Sequence, residues 1–173
     1  EALDTSLRSI IEPGDDILIP GPIYAGYIPL VETLGGNPVY IDTTQSYFKV
    51  TPELIESHLT HKTKAILLNY PTNPTGVILE RSEVKNIVDT LVNKHIFIIS
   101  DEIYAENTFK GQHTSFAEFP EIRDQLLLIG GLSKSHSATG IRIGFLLGPE
   151  YLIEKLTFMH AYNCICANVP AQI

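Results

Sequence analysis

A lysine, an arginine and an aspartate stand in this chain where strands of a sheet would end. Lys134 lies in Ser133-Lys134-Ser135-His136-Ser137-Ala138-Thr139-Gly140-Ile141-Arg142, directly after the apolar run Leu126-Leu127-Leu128-Ile129. A strand closing on Gly130-Gly131 and a hydroxyl-rich loop would hold an amine at the sheet's rim, with Arg142 a short way on. An ammonium that is partly desolvated and close to another positive group sheds its proton more readily, and the free amine can attack a carbonyl. Arg142 keeps its proton, and its planar fork matches the oxygens of a phosphate.

An aldehyde that carries a phosphate satisfies both cations. Pyridoxal 5′-phosphate is the common biological molecule of that description, and its ring nitrogen also needs an acid as partner. Asp101 can be that acid. It follows the continuous apolar run Ile96-Phe97-Ile98-Ile99, which reads as a strand buried on both faces, and so lies at a carboxyl end, where open α/β sheets bind ligands. A buried Asp there is costly unless paired, and a protonated pyridine nitrogen would pair it. Tyr104, three residues on, could donate to the ring's phenolic oxygen. So could the amide of Asn73, which the prolines and glycine of Tyr70-Pro71-Thr72-Asn73-Pro74-Thr75-Gly76 would fix at the end of another apolar strand. Tyr24, after Asp16-Ile17-Leu18-Ile19-Pro20-Gly21-Pro22-Ile23, could lay its ring on a flat heterocycle.

Each feature has a structural alternative. Asn-Pro-Thr-Gly makes a turn unaided, an acid can end a strand, a Lys near an Arg is ordinarily a solvated face, and a Tyr is ordinarily packing. Four such readings are independent of one another, whereas one cofactor accounts for all four features. His136 reads as a loop residue flanked by serines, and Cys164 and Cys166 are too closely spaced for a zinc knuckle and read as ordinary apolar residues.

The elements that would position these residues alternate between strand and helix. The pattern predicts helix 1–11, strand 16–20, a helix over 24–35 broken by Pro29, strand 37–42, helix 52–59, strand 65–69, helix 80–94, strand 96–100, strand 126–130, strand 142–147 and helix 149–163. This is a three-layer αβα fold with a mostly parallel sheet. The strand at 142–147 follows 126–130 too closely for a parallel crossover, so it is expected to run antiparallel.

At this level the chain resembles a known family. Asn73-Pro74-Thr75-Gly76, Asp101-Glu102-Ile103-Tyr104 and Ser133-Lys134 through Gly140-Ile141-Arg142, with Pro22-Ile23-Tyr24 upstream, are similar in order and spacing to the signature segments of the class I/II aminotransferases, the fold-type I pyridoxal-phosphate enzymes. The resemblance covers essentially the whole chain. Within the family, Ser133 to Ile143 with Phe145-Leu146-Leu147-Gly148 is most similar to the bacterial branch that includes N-acetyl-L,L-diaminopimelate aminotransferases. It implies that Lys134 is the catalytic residue and carries the cofactor, that Asp101 holds the pyridine nitrogen, and that Asn73 and Tyr104 hold the phenolic oxygen. Tyr24 would cover the ring, and Ser133 with Arg142 would bind the phosphate. Several relatives have a hydroxyl residue three positions before the lysine, where this chain has Gly131. The implied reaction moves an amino group between an amino acid and a 2-oxo acid, in lysine/diaminopimelate or aromatic/aspartate metabolism, by a homodimer whose partner subunit completes each site.

Length and composition agree with one domain. The chain has 173 residues, 44% of them hydrophobic, enough for one substantial core. Its formal net charge of −8 provides no electrostatic footprint for nucleic acid or an anionic membrane surface. No apolar run approaches the roughly 18 residues that span a bilayer, and cytoplasm is the expected location. There is no initiating Met, an apolar stripe of Leu3, Leu7, Ile10 and Ile11 begins at once, and the far end has no polar tail. Residues 1–173 are thus expected to be a cofactor-binding large domain truncated at both ends, with the small domain absent. The resemblance puts a phosphate loop before Glu1 and the arginine for the substrate carboxylate beyond the last residue. Three other readings stand beside transamination: a carbon–sulfur β-lyase on the same cofactor, a non-catalytic pyridoxal-phosphate-binding regulator domain, and a nucleotide-binding α/β domain. No Gly-x-Gly-x-x-Gly follows a strand, which disfavours the last.

Overall fold

A computed structural model describes residues 1–172. Six strands form one sheet: β1 (Asp16–Gly21), β2 (Asn37–Asp42), β3 (Thr63–Asn69), β4 (Phe97–Asp101), β5 (Leu126–Gly131) and β6 (Gly144–Leu147), in the order β2-β1-β3-β4-β5-β6. Strands β1 to β5 run parallel, whereas β6 is antiparallel to β5, with Leu128 opposite Leu147 and Gly131 opposite Gly144. The order turns back between β1 and β3, so their carboxyl ends diverge into a crevice of the kind where open sheets take ligands.

Helices cover both faces: α1 (Ala2–Ile10), α2 (Tyr27–Thr33), α3 (Pro52–His58), α4 (Arg81–Leu91), the one-turn α5 (Leu132–Ser135) and α6 (Glu150–Asn163). Strand alternation divides the apolar side chains between two cores. Leu18, Ile66, Leu68 and Ile98 pack under Ile55 of α3 and Val84, Ile87, Val88 and Leu91 of α4. Ile17, Ile19, Leu67, Ile99 and Leu127 pack under Leu7 and Ile10 of α1, Val31 of α2, and Leu152 and Leu156 of α6. Each such side chain, fully withdrawn from water, contributes about 2 kcal/mol. The result is the expected three-layer αβα arrangement.

Local chemistry sets the helix ends. Thr51 accepts from the Leu54 N–H and Pro52 opens α3, where its missing N–H has no intrahelical partner to lose. Glu80 and Glu83 form a reciprocal capping box at α4. Three expectations need correction. Pro29 does not break a helix over 24–35: residues 24–26 are a turn, α2 starts at Tyr27, and Pro29 sits in its first turn, where a missing donor costs nothing. Helix α4 stops at Leu91 rather than 94, because the Lys94 N–H folds back onto the Leu91 carbonyl. Strand β6 starts at Gly144 rather than 142, since Arg142 is left-handed, with φ 60, after a 3₁₀ turn over Thr139–Ile141. Among the described residues no helix is long and apolar enough to cross a membrane.

Candidate active site

Asp101 ends β4, a strand paired on both sides by β3 and β5, so its carboxyl emerges at the centre of the sheet's carboxyl edge. It is 8% exposed. Its Oδ2 accepts the Tyr27 hydroxyl at 2.6 Å and its Oδ1 accepts the Ile103 N–H at 3.1 Å. Burial pushes this carboxyl above the ordinary value, the bonds from Tyr27 and Ile103 pull it down, and the neighbouring Glu102 charge pushes it up. Burial, then the Asp101 charge, drives the Tyr27 hydroxyl far upward, so it stays a donor.

Tyr27, 3% exposed, was not legible as a site residue in the sequence. Its only signal was the Tyr24-x-x-Tyr27 spacing after β1, which the structure turns into an edge-on ring pair, 5.4 Å between centroids at 78°. Tyr24 itself is 53% exposed, with a ring face free to cover a ligand, and is linked to Asp101 through Tyr27.

A second group forms at the adjoining strand ends. Asn69, the last residue of β3, donates to the Asp101 carbonyl at 2.9 Å and accepts the Asn73 N–H on Oδ1 at 3.0 Å. Thr72 donates to the Asn69 carbonyl, and the turn closes through Gly76, whose φ of 71 suits glycine. Asn73 is thereby fixed, and its Nδ2 reaches the Tyr104 hydroxyl at 3.4 Å. Above the Tyr104 ring, 5.9 Å from its centroid, stands Nζ of Lys134. Lys134 lies not in a loop, as expected, but on α5, which starts as soon as β5 ends. It is exposed.

Asp101, Ser133 and Arg142 share one cavity of about 680 Å³, lined also by Glu1, by Thr5 of α1 and by His160 of α6. Arg142 is exposed, and its Nη1 donates to the Thr139 carbonyl at 2.8 Å. Thus three of the sequence-derived residues line the cavity, Asn73, Tyr104 and Lys134 cluster beside it, and Tyr24 joins through Tyr27. At Gly131 a Cβ would lie 2.9 Å from the Ile143 carbonyl oxygen, so backbone occupies the space a hydroxyl side chain would need.

His136 is exposed, and its ring bonds the neighbouring Ser135 Oγ at 2.7 Å. Cys164 and Cys166 are exposed, not buried as apolar residues, because α6 ends at Asn163 and the chain turns through Ile165 at φ 65. Among the described residues no group of three His, Cys, Asp or Glu is arranged to hold a metal.

Comparison with known proteins places this geometry. The family model for aminotransferase class I and II matches residues 1–173. A probable N-acetyl-LL-diaminopimelate aminotransferase of Bacillus subtilis is 46% identical over 172 residues, a match spanning 99% of this chain and 43% of that protein. An aspartate aminotransferase of Geobacillus stearothermophilus is 39% identical over 165 residues, spanning 94% of this chain and 42% of that protein. The crystal structure of an aspartate aminotransferase from Thermotoga maritima aligns with a TM-score of 0.93 at 33% identity, covering 99% of this chain and 46% of that one. The chain therefore spans less than half the length of these relatives. On both sequence and fold, it belongs to the class I and II aminotransferases.

Proposed function

We propose that these residues are most of the cofactor-binding large domain of a pyridoxal-phosphate-dependent aminotransferase, which moves an amino group between an amino acid and a 2-oxo acid. The observation that carries this reading is the buried Asp101 carboxyl, pushed up by burial, in one cavity with Ser133 and Arg142 and one strand away from Lys134. An acid for a ring nitrogen, a hydroxyl and a guanidinium for a phosphate, and an amine for an aldehyde fit that group. When bound, the cofactor supplies the aldehyde that bonds the amine and the ring that draws electrons from the substrate α-carbon.

The chain's own residues do the rest. Asp101 holds a proton on the ring nitrogen, and Tyr27 and the Ile103 N–H keep its carboxylate aimed. Tyr104 and Asn73 donate to the phenolic oxygen. Tyr24 excludes water from one ring face. Ser133 and Arg142 orient the phosphate. Lys134 anchors the group and then moves the proton at the substrate α-carbon as general acid and base.

The relatives' names, which include N-acetyl-LL-diaminopimelate, aspartate and aromatic aminotransferases, support a choice of substrate. The greatest similarity among these is to the first, and an N-acylated diamino dicarboxylic acid is the donor we assign. The full-length protein is taken to be a homodimer. To test the reading, the full-length enzyme is given N-acetyl-LL-diaminopimelate, aspartate and aromatic donors with 2-oxoglutarate. Turnover of the first is expected, and Lys134→Ala lowers it by about 10³-fold or more. Turnover of none removes the aminotransferase assignment; pyruvate release from a cysteine conjugate without an oxo acid would favour the β-lyase.

A further inference from the structure

Next to Asp101 stands a second buried acid that faces away from the cavity. Glu102 is 7% exposed. Its Oε1 accepts from Ser100 Oγ at 3.0 Å, Ser115 Oγ at 3.1 Å and the Phe116 N–H at 3.0 Å, and its Oε2 pairs with His113 Nε2 at 2.7 Å. Four contacts thus meet the carboxylate, three on Oε1 and one on Oε2. Its backbone N–H is also fixed, to the Ile129 carbonyl of β5 at 2.9 Å.

Three of the four donors come from residues 113–116, so the carboxylate draws the returning chain against the end of β4 and closes a loop over 103–112. That loop carries Tyr104. Its tip is solvated, with Phe109 92% exposed and Gly111 left-handed at φ 75. The contact from Asn73 to the Tyr104 hydroxyl, 3.4 Å, is too long to locate the ring by itself. The near end of the loop is tied by backbone bonds, from the Ala105 N–H to the Glu102 carbonyl and from the Asn107 N–H to the Tyr104 carbonyl, and its far end by the Glu102 carboxylate.

We propose that Glu102 is the positioning residue for Tyr104: by holding Ser115, Phe116 and His113 it closes the loop that sets where the Tyr104 hydroxyl meets the cofactor. The proposal rests on the role given to Tyr104 under Proposed function. A hydroxyl that donates to the phenolic oxygen favours its unprotonated form, so losing or misplacing that donor raises the pH midpoint of the bound cofactor's visible absorbance.

The experiment uses the full-length, cofactor-loaded protein. Tyr104→Phe raises the midpoint, and Glu102→Ala is expected to raise it by about one pH unit. Glu102→Gln, which keeps an oxygen for Ser115 and Phe116 but removes the charge, leaves it in place. In the Tyr104→Phe background, Glu102→Ala adds nothing. Should Glu102→Ala not fold, the pair His113→Ala with Ser115→Ala replaces it and shifts the midpoint in the same direction. In cofactor-free protein, either set speeds tryptic cleavage after Lys110. A midpoint that Tyr104→Phe moves and Glu102→Ala does not overturns the proposal, as does a shift that survives undiminished in the Tyr104→Phe background. A midpoint unmoved by Tyr104→Phe ends the role assigned to Tyr104 and this proposal with it. Unchanged cleavage at Lys110 refutes the loop closure whatever the cofactor does.

Discussion

Asp101 is held at a cost. Its folded form binds a proton more readily than an unfolded Asp, because burial opposes the charge more than Tyr27 and Ile103 relieve it. Between the ordinary carboxyl value and the raised one, the folded state carries more protons than the unfolded state, so stability falls as pH rises through that window. In the cofactor-free protein the bonds from Tyr27 and Ile103 offset only part of what burial costs the charged carboxylate. Asp101→Asn removes the charge, but while its amide oxygen accepts from Ile103 its NH2 faces Tyr27, whose hydroxyl then loses the acceptor it has in the parent. Relative to the parent, cofactor-free Asp101→Asn is expected to gain in melting temperature as pH rises through that window, because it lacks the titrating charge, and to bind pyridoxal phosphate about 10-fold or more weakly. Melting curves across pH and a binding titration read both. Asp101, Asn73 and Tyr104 were legible because each sits in a local pattern at a strand end. Tyr27 was not, because its contact with Asp101 joins residues 74 positions apart and no local pattern carries it.

At the scale of elements, the two glycines that end β5 are not equivalent. The atoms nearest a Cβ on Gly130 would be the outer ones of the Phe145 ring, which is half exposed and can swing aside. One on Gly131 would meet the Ile143 carbonyl oxygen at 2.9 Å and the Gly144 Cα at 3.1 Å, which can move only if β6 parts from β5. Gly131→Ser is therefore expected to cost about 1–3 kcal/mol in denaturant unfolding, and Gly130→Ala less; equal costs would refute this account. The strands were legible as apolar runs between turn residues, and the antiparallel direction of β6 from the short connection alone. Helix α5 was not, since a one-turn helix has too few residues for a period to show, and the start of α2 was misjudged because proline reads as a breaker wherever it falls.

The whole molecule gathers the site's residues but leaves several of them uncovered. The carboxyl ends of β1, β3, β4 and β5 bring Tyr24, Asn73, Asp101 and Lys134 to one edge of the sheet, yet Lys134, Arg142 and Tyr24 remain open to water. Charges act strongly on a reacting group only where water is kept out. The relatives matched are more than twice as long as this chain. The 173-residue chain expressed alone is accordingly expected to show no transamination above background under conditions where the full-length protein turns over. Near-normal rates from the short chain would contradict this.

Asp101 and Glu102 are neighbours of unequal reach that look to opposite layers of the sheet. Slipping β4 by one position would hand the cavity the longer acid and the loop the shorter one, and neither would meet its donors. Insertions and deletions among homologous chains should accordingly gather on either side of residues 97–102 and spare the stretch itself, whose length is fixed twice over.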